Sequence, residues 1–490
     1  MSALWFTLLL GIPAGGAVIC ALLRERRWSE LVTVISTGLT FSIALWVSSL
    51  VLAGEAIKTP KEWFFVDALS TYLLVIVTGS AFVVTLYSVG YLRRQIQNNR
   101  VDSSKVRLYY ALLNAFICTM ILVLVSNNLG FLWIGAESTT LATAFLVAFY
   151  ERESSIEAAW KYVIICSVGI ALALFGIILT YFSALHVVSS EANALNWTTL
   201  VSVGKQLDPN ILKLAFVFIL VGFGTKAGLV PFHTWKPDAY SEAPAPISAL
   251  MATGLVNIAL YSLIRFYVLV NKAVGGEFAP HLFIIFGLLS VGVAVPFILL
   301  QRDFKRLLAY SSVEHVGIIV FALGLGTPLA YFGALLHMLA NTLAKLVLFL
   351  TAGEIRLAFD SKIIRRVTGA IKVIPATSVL FLLGIFAVTG WPPFGLFVSE
   401  MSIIIAGFSS GNIYASLAFI GFVATIFIGL IYYGTSMVFG EPSRHYVTKE
   451  GGSFSLVVLA ILVAFLLVLG TMMPAAVHDF IMRAVTVIRA

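Results

Sequence analysis

Six ionisable residues sit inside apolar runs long enough to be held away from water. Glu137 lies in "FLWIGAESTTLATAFLV", Lys161 in "AAWKYVIICSVGI" and Lys226 in "FVFILVGFGTKAGLV". His337 and Lys345 share "ALLHMLANTLAKLVLFL", and Glu400 lies in "GWPPFGLFVSEMSIII". A charge at a bilayer centre costs about 3 kcal/mol on insertion scales, so such groups mark ion or proton paths by default. A lone His or Asn in a helix bundle serves equally well as a structural hydrogen-bonding group. Two carboxylates with several lysines favour transport.

His337, Asn341 and Lys345 are spaced i, i+4, i+8. At 100° per residue the stripe drifts about 40° per step, so the three share one helix face roughly 12 Å long, which can hold a file of waters. Lys161 follows Glu157 by four residues, which allows either a local ion pair or a relay role. Arg265 is expected to snorkel to the interface. His233, just past Pro231, is a weaker candidate that also suits capping of a broken helix end. Glu151, Arg152 and Glu153 read as a solvated loop. Cys20, Cys118 and Cys166 are 98 and 48 residues apart, which fits neither a metal site nor an iron-sulfur motif, so no redox centre is expected in this chain.

Two interruptions stand next to these groups. Pro231 follows "KAGLV", five residues after Lys226, and Trp391-Pro392-Pro393-Phe394-Gly395 precedes Glu400. A proline removes one helical hydrogen bond and clashes with the carbonyl four residues back, here Ala227 for Pro231. Unwound backbone at membrane depth is where transporters hold ions. The breaks are 162 residues apart, a length suited to five helices. Five is odd, so two successive copies would be inverted in the membrane.

The elements that must position these residues follow from composition. The 490-residue chain is 60% hydrophobic and 11% charged, with a mean hydropathy of +1.01. No water-soluble core and surface could share out that balance, and the expected fold class is an all-α integral membrane protein. Apolar runs of about 20 residues imply helices, not a barrel. Fourteen spans are expected, at approximately 3–22, 30–53, 67–92, 107–126, 128–150, 156–184, 209–230, 243–270, 279–300, 305–327, 329–356, 373–406, 411–438 and 453–482. Spans seven and twelve are the broken ones. The domain division is a three-helix segment at 1–106, repeats at 107–271 (spans four to eight) and 279–440 (spans nine to thirteen), and a last helix at 441–490.

The first run has neither a basic region before it nor a cleavage site after it and reads as a retained helix. With residues at span edges assigned to the adjoining loop, twenty of the 31 Lys and Arg fall in loops after odd-numbered spans, seven on the opposite side, and four, Lys161, Lys226, Arg265 and Lys345, inside spans. Basic residues favour the cytoplasmic side, so both termini are expected on the outer face. The net charge of +8 then follows from topology and gives no hint of nucleic acid.

The segments "VGFGTKAGLVPFHTWKPDAYSEAPAPISALM" (221–251), "QRDFKRLLAYSSVEHVGIIVFALG" (301–324), "LHMLANTLAKLVLFLTAGEI" (336–355) and "WPPFGLFVSE" (391–400) resemble the antiporter-like subunits shared by respiratory complex I, Mrp sodium/proton antiporters and membrane-bound nickel-iron hydrogenases. The likeness runs over nearly the whole chain from residue 64. Within that family, Ser312-Val313-Glu314-His315 and Ala243-Pro244-Ala245-Pro246-Ile247 followed by Asn257 resemble the hydrogenase-4 branch, component F type. Asn257 stands where many relatives carry a lysine, and Asn341 where many carry a second histidine.

The resemblance implies a proton path of two half-channels joined along the membrane midplane. Glu137 would pair with Lys226, Lys345 would lie between them and Glu400, and His337 and Asn341 would extend the file, with water held by Asn257. A carboxylate beside an ammonium favours the charged form of both, and separating them makes proton release switchable. The resemblance also implies a prokaryotic inner membrane, other membrane subunits as partners, H⁺ or Na⁺ as cargo, and a [NiFe] site with iron-sulfur clusters in partner chains. A lateral brace helix like that of some complex I relatives is expected from another subunit. The competing readings are a complex I-type quinone oxidoreductase subunit, an Mrp-type Na⁺/H⁺ antiporter subunit, and a structural membrane subunit that has lost transport.

Overall fold

The computed structural model describes residues 2–23, 25–54, 56–188, 193–442, 450 and 452–489. It is all-α apart from a two-stranded ribbon, β1 (Ile57–Lys58) against β2 (Phe65–Val66). Five helices lead: α1 (Ser2–Leu22), α2 (Arg26–Ala53), α3 (Ala68–Gln97), α4 (Ser103–Val125) and α5 (Leu129–Val147). They are followed by α6 (Glu153–Ala184), short α7 (Trp197–Ser202), α8 (Pro209–Ala227), short α9 (Trp235–Glu242), α10 (Ala245–Leu250) and α11 (Val256–Val274). Next come α12 (Phe278–Leu299), α13 (Phe304–Gly324), α14 (Pro328–Phe359), α15 (Ala370–Val373), α16 (Pro375–Val388) and α17 (Gly395–Ser409). The chain closes with α18 (Ile413–Val438), α19 (Ser453–Thr471) and α20 (Ala475–Arg489).

Among the described residues thirteen helices are long and apolar enough to cross a membrane, α10 and α11 forming one of them through a π-helical turn at Met251–Leu255. The broken span twelve appears as α16 and α17, both shorter than a crossing. Large apolar side chains at Trp160, Ile164, Val168, Phe175, Ile178 and Phe182 of α6 are exposed at helical spacing. Such a stripe is a lipid-facing wall. Helices α11, α13 and α14 are enclosed on nearly every side, so ionisable groups on them have only other helices for company.

Small residues bring the site helices together. A Cβ on Gly222 of α8 would stand 2.6 Å from the Gly169 carbonyl of α6, and one on Gly176 would stand 2.7 Å from the Ala215 carbonyl. This small-residue seam lets the two backbones touch and sets the depth of Lys226, one turn beyond Gly222.

Two expectations change. Arg265 does not snorkel: it is buried, donating to both carboxylate oxygens of Asp67 at 2.8 Å and to Ser70 Oγ at 2.7 Å. Its guanidinium lies 4.2 Å from the Trp197 ring centroid, and Trp197 Nε1 donates to the Arg265 carbonyl at 2.8 Å. The Asp67 acceptor lies just before α3 as its N-cap, so a complete set of partners exists at that depth and the long side chain has no reason to reach outward. The last span does not run to 482. Helix α19 stops at Thr471, Pro474 supplies no N–H to continue it, and α20 buries Ile481, Ala484, Val485 and Ile488 against α3 and α14.

Candidate functional site: a buried polar row between two helix breaks

The first break starts before its proline. Helix α8 ends at Gly228, which adopts the left-handed conformation (φ 83°) and donates to the Gly224 carbonyl, so Pro231 sits in the turn rather than in a strained helix. The Ala227 carbonyl freed by the break accepts from Lys236 Nζ at 2.8 Å, and the same ammonium reaches the Ser312 carbonyl of α13 at 3.3 Å. Trp235 Nε1 satisfies the Thr225 carbonyl at 2.9 Å. The two residues that begin α9 thus fold back and take up carbonyls that the helix gave up.

Lys226 and Glu137 do not form the expected pair. Lys226 Nζ donates to Thr140 Oγ1 at 2.6 Å, whereas Glu137, one turn earlier on α5, accepts from Ser167 Oγ of α6 at 2.7 Å. The second carboxylate oxygen of Glu137 is buried without a partner. The carboxylate thus bonds to α6 and the lysine to the hydroxyl one turn along α5.

Helix α13 makes the connection to the second half. Ser311 Oγ accepts from Lys345 Nζ at 2.8 Å and lies 3.4 Å from Glu314 Oε2, to which it donates. His315 Nδ1 and His337 Nε2 share a hydrogen bond of 2.8 Å, and His337 Nδ1 meets Ser399 Oγ of α17 at 2.9 Å. Glu400 is buried next to Ser399, and ligand atoms of His315, His337 and Glu400 all lie within 4.8 Å of one another. Both nitrogens of His337 are engaged, by His315 and by Ser399, so neither is free to bind a metal ion in this arrangement. Gly390 (φ 66°) makes room for the carboxylate: a Cβ there would stand 2.1 Å from Glu400 Oε2.

The remaining sequence candidates take peripheral positions. Asn257 Nδ2 donates to Thr342 Oγ1 of α14 at 2.8 Å, and buried Asn341 Oδ1 has no partner. His233 is buried against Phe297 and Tyr310 with Nδ1 unpartnered. Lys161 lies outside the row: its side chain is 47% exposed and pairs with Glu157 at 2.6 Å and Asp238 at 3.2 Å. Asp238 also pairs with Arg306 of α13 at 2.8 Å.

Sequence reasoning missed Lys236, Ser311 and His315 as site residues, and used Glu314 and His315 only as a family marker. Lys236 reads as a loop charge because it lies between expected spans seven and eight, and Lys305 because it stands at the very edge of span ten; Lys305 is buried and donates to the Ser241 and Ala243 carbonyls at 3.1 and 2.7 Å. One signal was available. A lysine five residues after a helix-breaking proline is within reach of the carbonyl that the proline frees.

Comparisons with known proteins agree with this architecture. The pattern described as NADH:quinone oxidoreductase/Mrp antiporter, TM, matches residues 126–428. That of NADH-Ubiquinone oxidoreductase (complex I), chain 5 N-terminus, matches 63–100. The chain is 37% identical over 402 residues to a protein named Hydrogenase-4 component F homolog from Methylacidiphilum infernorum, covering 82% of this chain and 84% of the relative. It shares its fold with a subunit of an archaeal membrane-bound sulfane sulfur reductase (TM-score 0.87, 23% identity, 98% and 97% of the two chains). It likewise shares it with a subunit of the Mrp complex from Dietzia sp. DQ12-45-1b (TM-score 0.86, 18% identity, 99% and 97%).

Proposed function

Because this chain belongs to the NADH:quinone oxidoreductase/Mrp antiporter family of membrane subunits, we propose that it moves protons for a hydrogenase-linked respiratory complex of the group 4 [NiFe] type. The observation that carries the proton path is the buried row from Lys236 through Ser311, Lys345 and Glu314 to His315, His337 and Glu400, which joins the two helix breaks. Lys226, Thr140 and Glu137 form the limb at the first break, with Lys161 at its surface and Asn257, Asn341 and His233 beside it. Lys345, Ser311 and Glu314 are joined by hydrogen bonds, as are His315, His337 and Ser399, and waters would bridge the steps between these groups. Attraction between a carboxylate and an ammonium changes steeply with separation at low dielectric, so small motions of α5 or α13 gate the row.

Residues 107–271 and 279–440 are read as inverted copies. Their support is the matching breaks, each turned by a glycine at positive φ, Gly228 and Gly390. Superposition of the halves that leaves α8 and α9 unmatched to α16 and α17 would refute this. Electron transfer, with its [NiFe] and iron-sulfur centres, belongs to partner subunits, and the relative named for hydrogenase 4 supports that choice over complex I and Mrp assemblies.

Affinity purification of the native complex is expected to recover a nickel-iron large subunit. Recovery of small Mrp-type membrane proteins in its place would overturn the hydrogenase assignment. In proteoliposomes of that complex, Glu137→Ala and Lys226→Ala are expected to abolish proton pumping, and an unchanged proton-to-electron ratio in both would refute the path. For orientation, we read both termini as outward-facing. A C-terminal alkaline phosphatase fusion is expected to be active and a fluorescent-protein fusion dark, and the reverse pattern would invert the topology.

A further inference from the structure

Where α3, the α5–α6 turn and the end of α14 meet, away from the proton row, lies a cavity of about 250 Å³ lined by four basic residues, Arg100, Arg152, Arg356 and Lys362. Its one acidic lining residue, Asp360, is taken up by Arg100 at 3.0 Å. Lys362 is paired with Glu242 at 2.5 Å and Asp303 at 3.5 Å. Neither Arg152 nor Arg356 forms a direct ion pair with a carboxylate among the described residues, although the charges of Glu242 and Asp303 act on Arg356 from farther away. Instead both guanidinium groups lie 5.5 Å from the centroid of one ring, Tyr150, whose hydroxyl is fixed by Gln95 Nε2 at 2.7 Å. The turn that the sequence marks as solvated therefore contributes one of two cations sharing an aromatic face.

Arg356 Nη1 is buried and makes no hydrogen bond. Withdrawing a cation from water is costly unless it is paired, and a cation-π contact returns only part of that cost. The unused donor of Arg356 faces a cavity with room for roughly eight waters, and solvent-exposed Arg152 adds a second guanidinium to its lining. Planar guanidinium forks match the oxygens of a tetrahedral anion.

We propose that this cavity binds a phosphate group, held by Arg356 and Arg152 with Lys362 at its rim. Its walls are the inner helices α3 and α14 rather than the outward faces of α6 and α18, which favours a water-borne phosphate over a lipid headgroup. The bound anion ties the end of α14, the helix that carries His337 and Lys345, to α3 and to the α5–α6 turn.

The test uses the full chain in nanodiscs of neutral phosphatidylcholine, titrated with inorganic phosphate by calorimetry, and the same chain in nanodiscs containing phosphatidylglycerol. Saturable phosphate binding is expected in the neutral discs. It should weaken by at least about tenfold in Arg356→Gln and stay unchanged in Arg366→Gln, an exposed arginine outside the cavity. Competition by phosphatidylglycerol, lost in Arg356→Gln, assigns the site to a lipid phosphate; its absence assigns it to the soluble ion. Arg356→Lys keeps the charge without the fork and should bind with intermediate affinity, which covers a glutamine variant that fails to fold. Absence of phosphate binding together with absence of arginine-dependent phosphatidylglycerol retention would overturn the proposal, as would equal binding by wild type, Arg356→Lys and Arg356→Gln.

Discussion

Lys236→Met is expected to lower proton movement through the assembled complex by more than about tenfold, which corresponds to about 1.4 kcal/mol or more on the limiting barrier. The ammonium bridges the first break and α13 inside the bundle, touching the Ala227 carbonyl on one side and the Ser312 carbonyl on the other. Methionine keeps the length and apolar volume but offers no proton and no donor. It also leaves two carbonyls short of a partner, a penalty of about 1 to 3 kcal/mol, so lost folding and lost transport must be told apart. Lys305→Met is the matched control. Lys305 is equally buried and donates to two backbone carbonyls, but it lies off the row. Both variants should unfold at lower temperature than wild type, and only Lys236→Met should lose pumping. Equal pumping by folded Lys236→Met and Lys305→Met would remove Lys236 from the path.

Asp67→Ala is expected to be the most destabilising single substitution considered for this chain, by about 3 to 5 kcal/mol. It strands the Arg265 guanidinium in a buried site whose other partners, Ser70 Oγ and the Trp197 and Tyr261 rings, carry no negative charge. The double variant Asp67→Leu with Arg265→Met removes both charges and should recover much of the loss, because breaking a buried pair costs more than deleting it. Thermal unfolding in detergent measures both. A double variant no more stable than Asp67→Ala alone would mean that packing, not the uncompensated charge, sets the cost. Burial alone would push the Asp67 carboxyl up, but the Arg265 charge and the hydrogen bonds from Arg265 and Ser70 outweigh it and hold the group below the ordinary carboxylate value. The sign follows: the pair's contribution is present above that ordinary value and is lost as pH falls through the lowered one.

Much of the site was legible. Glu137, Lys226, His337, Lys345 and Glu400 announce themselves because each interrupts an apolar run, and the prolines at 231, 392 and 393 mark where backbone is unwound. The stripe of His337, Asn341 and Lys345 is fixed by helical period alone, and all three are buried on α14. Other readings failed for a common reason. Lys236 and Lys305 looked like loop charges, and Arg265 looked like a snorkelling side chain, because depth was inferred from position along a span. A turn that folds back into the bundle, or an aspartate waiting at the next helix cap, changes depth without changing local composition.

By itself the sequence determined that the chain is a bundle of membrane helices, where two of them break, and which ionisable groups stand on helices too apolar to face water. Those conclusions rest on hydropathy, helical period and the missing N–H of proline, all local properties. Only the tertiary structure decided who touches whom: Lys226 with Thr140 instead of Glu137, Lys236 with Ala227 and Ser312, His315 with His337. Such contacts depend on how far each helix is rotated about its axis and on where glycine seams let backbones approach, as at Gly169 and Gly222. Rotations of a few tens of degrees move a side-chain tip by several ångströms, beyond hydrogen-bonding range, while leaving every local pattern in the sequence unchanged.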